Sequence, residues 1–344
     1  MSKEAMLNKM NDEIREIDGI SVSVDGSVAD DPTIQDAVKL AAAVAKELEQ
    51  KGIKTEPKVH DIMKTNGPQI GVTFRGIEDN NVIAPSVYPG KILTDEKSFE
   101  QAVQDTVRSV MAGMKAGIEL PELSAEEAKN HIRLVLVNTA QNQAMLETVP
   151  SIPVAGGELA AVPRWYINDE ASFLVTENLC GTIGITGDEA LAIGQRNLES
   201  IEFQVQSMSD VLRSMMPPEL YDEMPPIEGP QMLVVSSPSR IQGAAAVLDE
   251  KTMQEVHERI GGDFVVLPSS IHEVICLPIT PDMSPEDLKD MVREVNGTQV
   301  APEERLSDQV FRCDGHKLTV VGESFEMEQK NEPVQETQTM KFAM

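Results

Sequence analysis

Apolar positions along the chain follow two rhythms, and the switches between them mark the expected elements. Ile34, Ala37, Val38, Ala41, Ala45 and Leu48 recur at helical spacing. They predict a helix opened by Thr33, with Asp36 completing an approximate capping box and Gly52 as the stop. After Asp95, one helical face collects Phe99, Ala102, Val103, Thr106, Val107, Val110, Met111 and Met114. Shorter helices are expected behind the Ser124/Glu127 and Thr186/Glu189 pairs, behind Asp249, and behind Ser284-Pro285. The last two stop at Gly261-Gly262 and Asn296-Gly297, and the last carries Leu288, Met291, Val292 and Val295 as its buried stripe.

Period-two or continuous apolar runs predict strands at 70–76, 84–88, 132–138, 159–167, 173–176, 232–236, 263–268 and 271–278. A final hairpin is expected at 309–313 and 317–321, turning through Asp314-Gly315. Strands come in adjacent pairs separated by single helices. That order predicts an α+β fold with mostly antiparallel sheets.

The pattern also punctuates the chain. Residues 1–60 read as an N-terminal arm, loosely held up to residue 33, followed by its helix, and 61–321 as a composite core. Within the core, 214–230 (SMMPPELYDEMPPIEGP) is too rich in proline and glycine for a helix or central strand and is expected to be a connector. Residues 322–344 are polar, aperiodic and rich in Gln and Glu, the composition of a disordered tail.

Charge narrows the function classes. The chain has 29 basic and 57 acidic residues, a net charge of −28, and no basic patch. Such a surface repels phosphate backbones and anionic lipids, so neither nucleic acid nor a membrane surface is an expected partner. No apolar run reaches the eighteen residues of a membrane span, and the charged start of the chain lacks the apolar stretch of a signal peptide. Cys180, Cys276 and Cys313 are odd in number and far apart. A disulfide framework is not expected, and a reducing cytoplasm is.

The stretch LPSSIHEVI (267–275) holds the densest chemistry. A catalytic reading makes Ser269 or Ser270 the nucleophile of a hydrolase or transferase, His272 its base and Glu273 the orienting acid. On a strand, however, His272 and Glu273 point to opposite faces, so an acid would have to come from another segment. The alternative reading is a tight connection, with serine hydroxyls bonding turn amides. Ile271, Glu273, Ile275 and Leu277 then line one face, and His272, Val274 and Cys276 the other. His272 and Cys276 would lie about 13 Å apart, too far to share a metal, and pairing His257 with His272 leaves a third ligand wanting. Glu303, Glu304 and Asp308, near Arg305 and Arg312, form a second polar concentration, read as solvated. No cofactor or metal motif is present in the sequence.

Several long stretches resemble an uncharacterised family of bacterial cytoplasmic proteins, classed as a domain of unknown function. They are GVTFRGIEDNNVIAPSVY (71–88), VLVNTAQN (135–142), GAAAVL (243–248), GGDFVVLPSSIHEVICLP (261–278) and VNGTQVAPEERLSDQVF (295–311). The resemblance spans roughly residues 60 to 315. It implies no activity and transfers no site residue. The scarcity of catalytic motifs, the long Met- and Pro-rich connector and the two free ends make a non-catalytic module that binds or regulates a protein partner the first expectation. An enzyme centred on Ser269, Ser270 and His272 is the second.

Overall fold

The computed structural model describes residues 12–77, 84–115, 121–168, 171–217, 231–268 and 270–322. The fold is α+β, as the strand pairs predict, and all but one of the described strand pairings are antiparallel. The chain divides into two compact units, Met1–Glu127 and Ala128–Met344.

The first unit holds a five-stranded sheet, β1 (Glu13–Ile17), β2 (Ile20–Val24), β3 (Thr55–Lys64), β4 (Gly67–Gly76) and β5 (Ser86–Val87), in that spatial order. The stretch expected to be a loose arm thus contains, from residue 13, a hairpin. Asp18 and Gly19 at its turn have φ of 51° and 83°, the left-handed pair that matches the twist of two strands. Val22 and Val24 are fully buried, which anchors the hairpin to the core. Strand β3 was not legible because Pro57 and alternating charges interrupt its apolar pattern. Phe74, opposite Pro57, sends its N–H to Pro85 O on the far side, so Pro57 owes β4 no donor.

The helix Ile34–Gln50 crosses from β2 to β3, the one parallel pair. Its stop is the expected one: Gly52 takes φ 83°, and the N–H groups of Gly52 and Ile53 close onto Glu49 O and Leu48 O. Its start differs. Thr33 makes no side-chain cap: its backbone is already helical (φ −84°, ψ −9°), and its hydroxyl (2.6 Å) and N–H (2.8 Å) both donate to Asp31. The helix Phe99–Lys115 buries Ala102, Val103, Thr106, Val107 and Val110. A reciprocal Ser98/Gln101 pair caps it. Phe99, expected in the stripe, is 47% exposed.

The second unit carries two sheets. Strands β6 (Ile132–Asn138), β8 (Leu159–Tyr166) and β7 (Ile152–Val154) form one, with β9 (Ser172–Leu174) also paired to β8. The other is six-stranded and joins β10 (Gln204–Ser207), β11 (Leu233–Ser236), β13 (Glu273–Pro278), β12 (Phe264–Leu267), β14 (Phe311–Cys313) and β15 (Leu318–Val320) in that order. One core cluster joins them, running from Leu134, Leu136 and Leu159 through Ala244–Ala246 to Val266, Val274, Cys276 and Phe311. The alanines belong to a 3-10 segment, Gly243–Leu248, whose small side chains permit close approach. The single Trp165 is fully buried, stacked between His131 and Phe173.

Most caps in this unit follow the sequence. Thr186 and Glu189 form a complete capping box, and Asp249 and Ser284 accept from the amides of Thr252 and Asp287. The helix Pro285–Thr298 runs past the expected stop at Asn296-Gly297 and buries Asn296, while Met291 is 53% exposed. The expected connector at 214–230 and tail at 322–344 lie almost wholly outside the described residues.

Candidate functional site

Strand β13 begins at Glu273, two residues later than the alternation suggests. Ile271 therefore does not share a face with Ile275 and Leu277. It is 5% exposed and packs in the same cluster as Val274 and Cys276. Strand β13 lies inside the sheet, between β11 and β12.

The residues before β13 form a joint where three chain segments meet. Ser270 bridges to Arg305, Ile271 N–H donates to Glu304 O at 2.8 Å, and Ser307 N–H donates to Pro268 O at 3.1 Å. From the other side, Ala244 N–H donates to Ile271 O, and Ser236 Oγ donates to His272 O at 2.7 Å. Gly243 sits at the tightest point. A Cβ there would lie 2.4 Å from His272 O, Ser236 Oγ and Ser237 N, so only glycine fits.

The candidate side chains fall as follows. Ser269 lies outside the described residues. The hydroxyl of Ser270 accepts from the backbone N–H of His272 at 3.0 Å, a turn bond of the kind serine makes locally. Glu273 is exposed at the start of the strand. His272 is 30% exposed, and both ring nitrogens face a neighbour. Nδ1 accepts from Gln242 N–H at 3.3 Å, and Nε2 lies 3.5 Å from Glu304 Oε1. An Nδ1 that accepts carries no proton, so the neutral ring bears its hydrogen on Nε2, facing the carboxylate. In that tautomer no lone pair is left to take a proton from a serine. The acid that the catalytic reading needed from another segment is present as Glu304, but it meets the ring on the nitrogen that a serine would have to use.

The second polar concentration is dispersed. Glu304 turns to His272, Asp308 accepts from Asn296 Nδ2 at 2.6 Å, and Arg312 pairs with Asp263. His257 faces Asp263 at 3.7 Å. Among the described residues no group of three or more His, Cys, Asp or Glu is arranged to hold a metal ion. All three cysteines are buried. Burial pushes the Cys313 thiol up to about 11 and raises Cys276 further still, so neither offers a thiolate at neutral pH.

What sequence reasoning missed is the loop that His272 holds. Arg240 and Gln242 are left-handed without being glycine, with φ of 57° and 55°. Between them Ile241 is 37% exposed. Both of its backbone groups are taken by one hydroxyl: Ser237 Oγ accepts Ile241 N–H at 3.1 Å and donates to Ile241 O at 2.9 Å. The loop lines a crevice of about 300 Å³ together with Arg133, Tyr166 and Phe203. The only local sign of this arrangement was the serine-rich run SSPSR, which reads as an ordinary turn.

Residues 37–314 match the model of a family of unknown function, DUF5688, and the chain belongs to that family. No curated protein and no solved structure matches it. No helix among the described residues is long and apolar enough to cross a membrane.

Proposed function

We propose that the chain is a cytoplasmic, non-catalytic module that binds a protein partner through the crevice of its second unit, with Ile241 as the apolar contact. The observation that carries this reading is the strained loop. Two non-glycine residues in left-handed conformation cost on the order of 1–3 kcal/mol each. Such strain persists where the surroundings over-determine it, and it concentrates at sites of function. Here the bonds from Ser237, His272 and the joint hold the strain, and its product is an isoleucine presented outward beside a crevice. The engaged nitrogens of His272 support the same reading, because they assign the imidazole to holding the loop.

The test is quantitative affinity capture from cell lysate with the wild-type chain and with Ile241→Arg, at matched melting temperature. The expected outcome is a protein enriched by the wild type and lost by the variant. Equal capture by both would overturn the role of Ile241. A second reading, a hydrolase or transferase using Ser270 and His272, rests on the presence of Glu304 beside the ring. Turnover of an ester, amide or phosphate substrate that disappears in a folded His272→Ala variant would favour it.

A further inference from the structure

The first unit contains a groove of about 600 Å³ along the helix Ile34–Gln50. One stripe of that helix, Asp36, Lys39, Ala43 and Lys46, lines it with Ala42 at spacings of three and four residues. The space exists because the middle of the stripe is alanine. A larger side chain at 43 would fill it, while Ala42, 2% exposed, belongs to the core beneath. Leu93 and the exposed ring of Phe99 supply the facing apolar wall. From Asp36 to Lys46 the stripe runs about 15 Å along the helix axis. An extended peptide of about four to five residues has the same length.

The charges select among ligands of that size. Each end of the stripe holds one group of each sign. Lys39 pairs with Asp36 at 3.3 Å, and Lys46 lies 3.8 Å from Asp18. These four side chains are all about half exposed or more, so a ligand can exchange for either partner at little cost. A purely anionic ligand meets the field of a chain with net charge −28. Lys39, Lys46 and Lys97 share the rim with Asp18, Asp36 and Asp95, so the lining itself is balanced in charge. A net-neutral, dipolar ligand matches that balance and finds an opposite charge for each of its ends.

We propose that this groove binds short peptides with free termini, four to five residues long, with apolar side chains in the middle seated on Ala43, Leu93 and Phe99. The terminal ammonium replaces a lysine at one end, and the terminal carboxylate replaces an aspartate at the other. The site lies in the other unit from Ile241 and does not rest on the partner reading above.

The experiment is isothermal titration of the full chain with the tetrapeptide Ala-Leu-Phe-Ala, and with the same peptide acetylated and amidated. The expected result is saturable binding of the free peptide, weakened at least tenfold by blocking the termini. Ala43→Phe, which fills the floor, should abolish it. Lys46→Glu, on the exposed rim, should weaken it several-fold, and serves alone if the phenylalanine disturbs folding. Absence of saturable binding up to millimolar peptide would overturn the proposal. So would equal binding of the blocked peptide, or binding indifferent to both substitutions. Self-association of the chain that Ala43→Phe abolishes would assign the groove to a second copy and overturn it as well.

Discussion

The joint around His272 and the groove along the Ile34–Gln50 helix are opposites. The joint is rich in chemical groups and has almost none to spare. Ser270, Ser236, His272 and Glu304 each face a neighbour, and even a single added carbon at Gly243 would collide. The groove is built from alanines and surface charges that no motif search would notice, yet it leaves space of ligand size. Reactive residue types mark chemistry only when their donors and lone pairs are left free. At a meeting of three chain segments the backbone claims them first, because buried N–H and C=O groups must be paired.

This contrast can be broken by experiment. Gly243→Ala should produce the largest effect, about 3 kcal/mol of destabilisation from overpacking, measured as a fall in the urea midpoint at unchanged slope. A tolerated alanine there would mean that the joint is loose, and the argument for consumed side chains would fall with it. His272→Ala should cost about 1–2 kcal/mol by leaving Gln242 N–H without its acceptor. His272→Asn, which offers an amide oxygen close to the position of Nδ1, should recover much of that loss. Equal loss in both variants would argue against the clamp.

A smaller effect should come from pH, and in the other unit. Burial, and then the nearby charge of Lys58, lower the pKa of His60 from 6.5; its Nε2 bonds Thr73 Oγ1 at 2.8 Å. The folded state therefore disfavours protonating His60 more than the unfolded chain does. The corresponding stability is fully present above pH 6.5 and is lost progressively as pH falls from there towards the lowered folded value. His60→Gln should flatten the melting curve against pH between 7 and 5. An unchanged slope would place the acid sensitivity elsewhere. Smallest of all, Ala43→Phe should change stability by about 0.5 kcal/mol or less, as a change at the edge of open space does. A large loss there would show that the groove is packed and not a vacancy.

The elements that were legible share one property: their signals are local. The strand Ile132–Asn138, the capping box at Thr186 and the left-handed stop at Gly52 each depend on residues a few positions apart. Where competition or context entered, legibility failed. Thr33 is itself helical and leaves the expected cap unmade, and β3 hid behind Pro57 because its tolerance depends on where Phe74 sends its N–H. The site suffered most. Ser270 and His272 were visible as letters, but Gln242 and Glu304, which decide what the imidazole can do, lie thirty and thirty-two positions away from it.

The sequence by itself determined the α+β class, most helix boundaries, the absence of a metal or disulfide motif, and a charge that disfavours anionic partners. Those follow from periodicity, short-range capping and composition, which are properties of neighbouring residues or of sums. Only the tertiary structure decided that the hairpin's groups are engaged, that Ile241 stands outward on a strained loop, and that Ala43 borders open space. A hydrogen bond to a distant residue and a void between elements both depend on how segments far apart in the chain are brought together, and no single stretch of sequence records that distance.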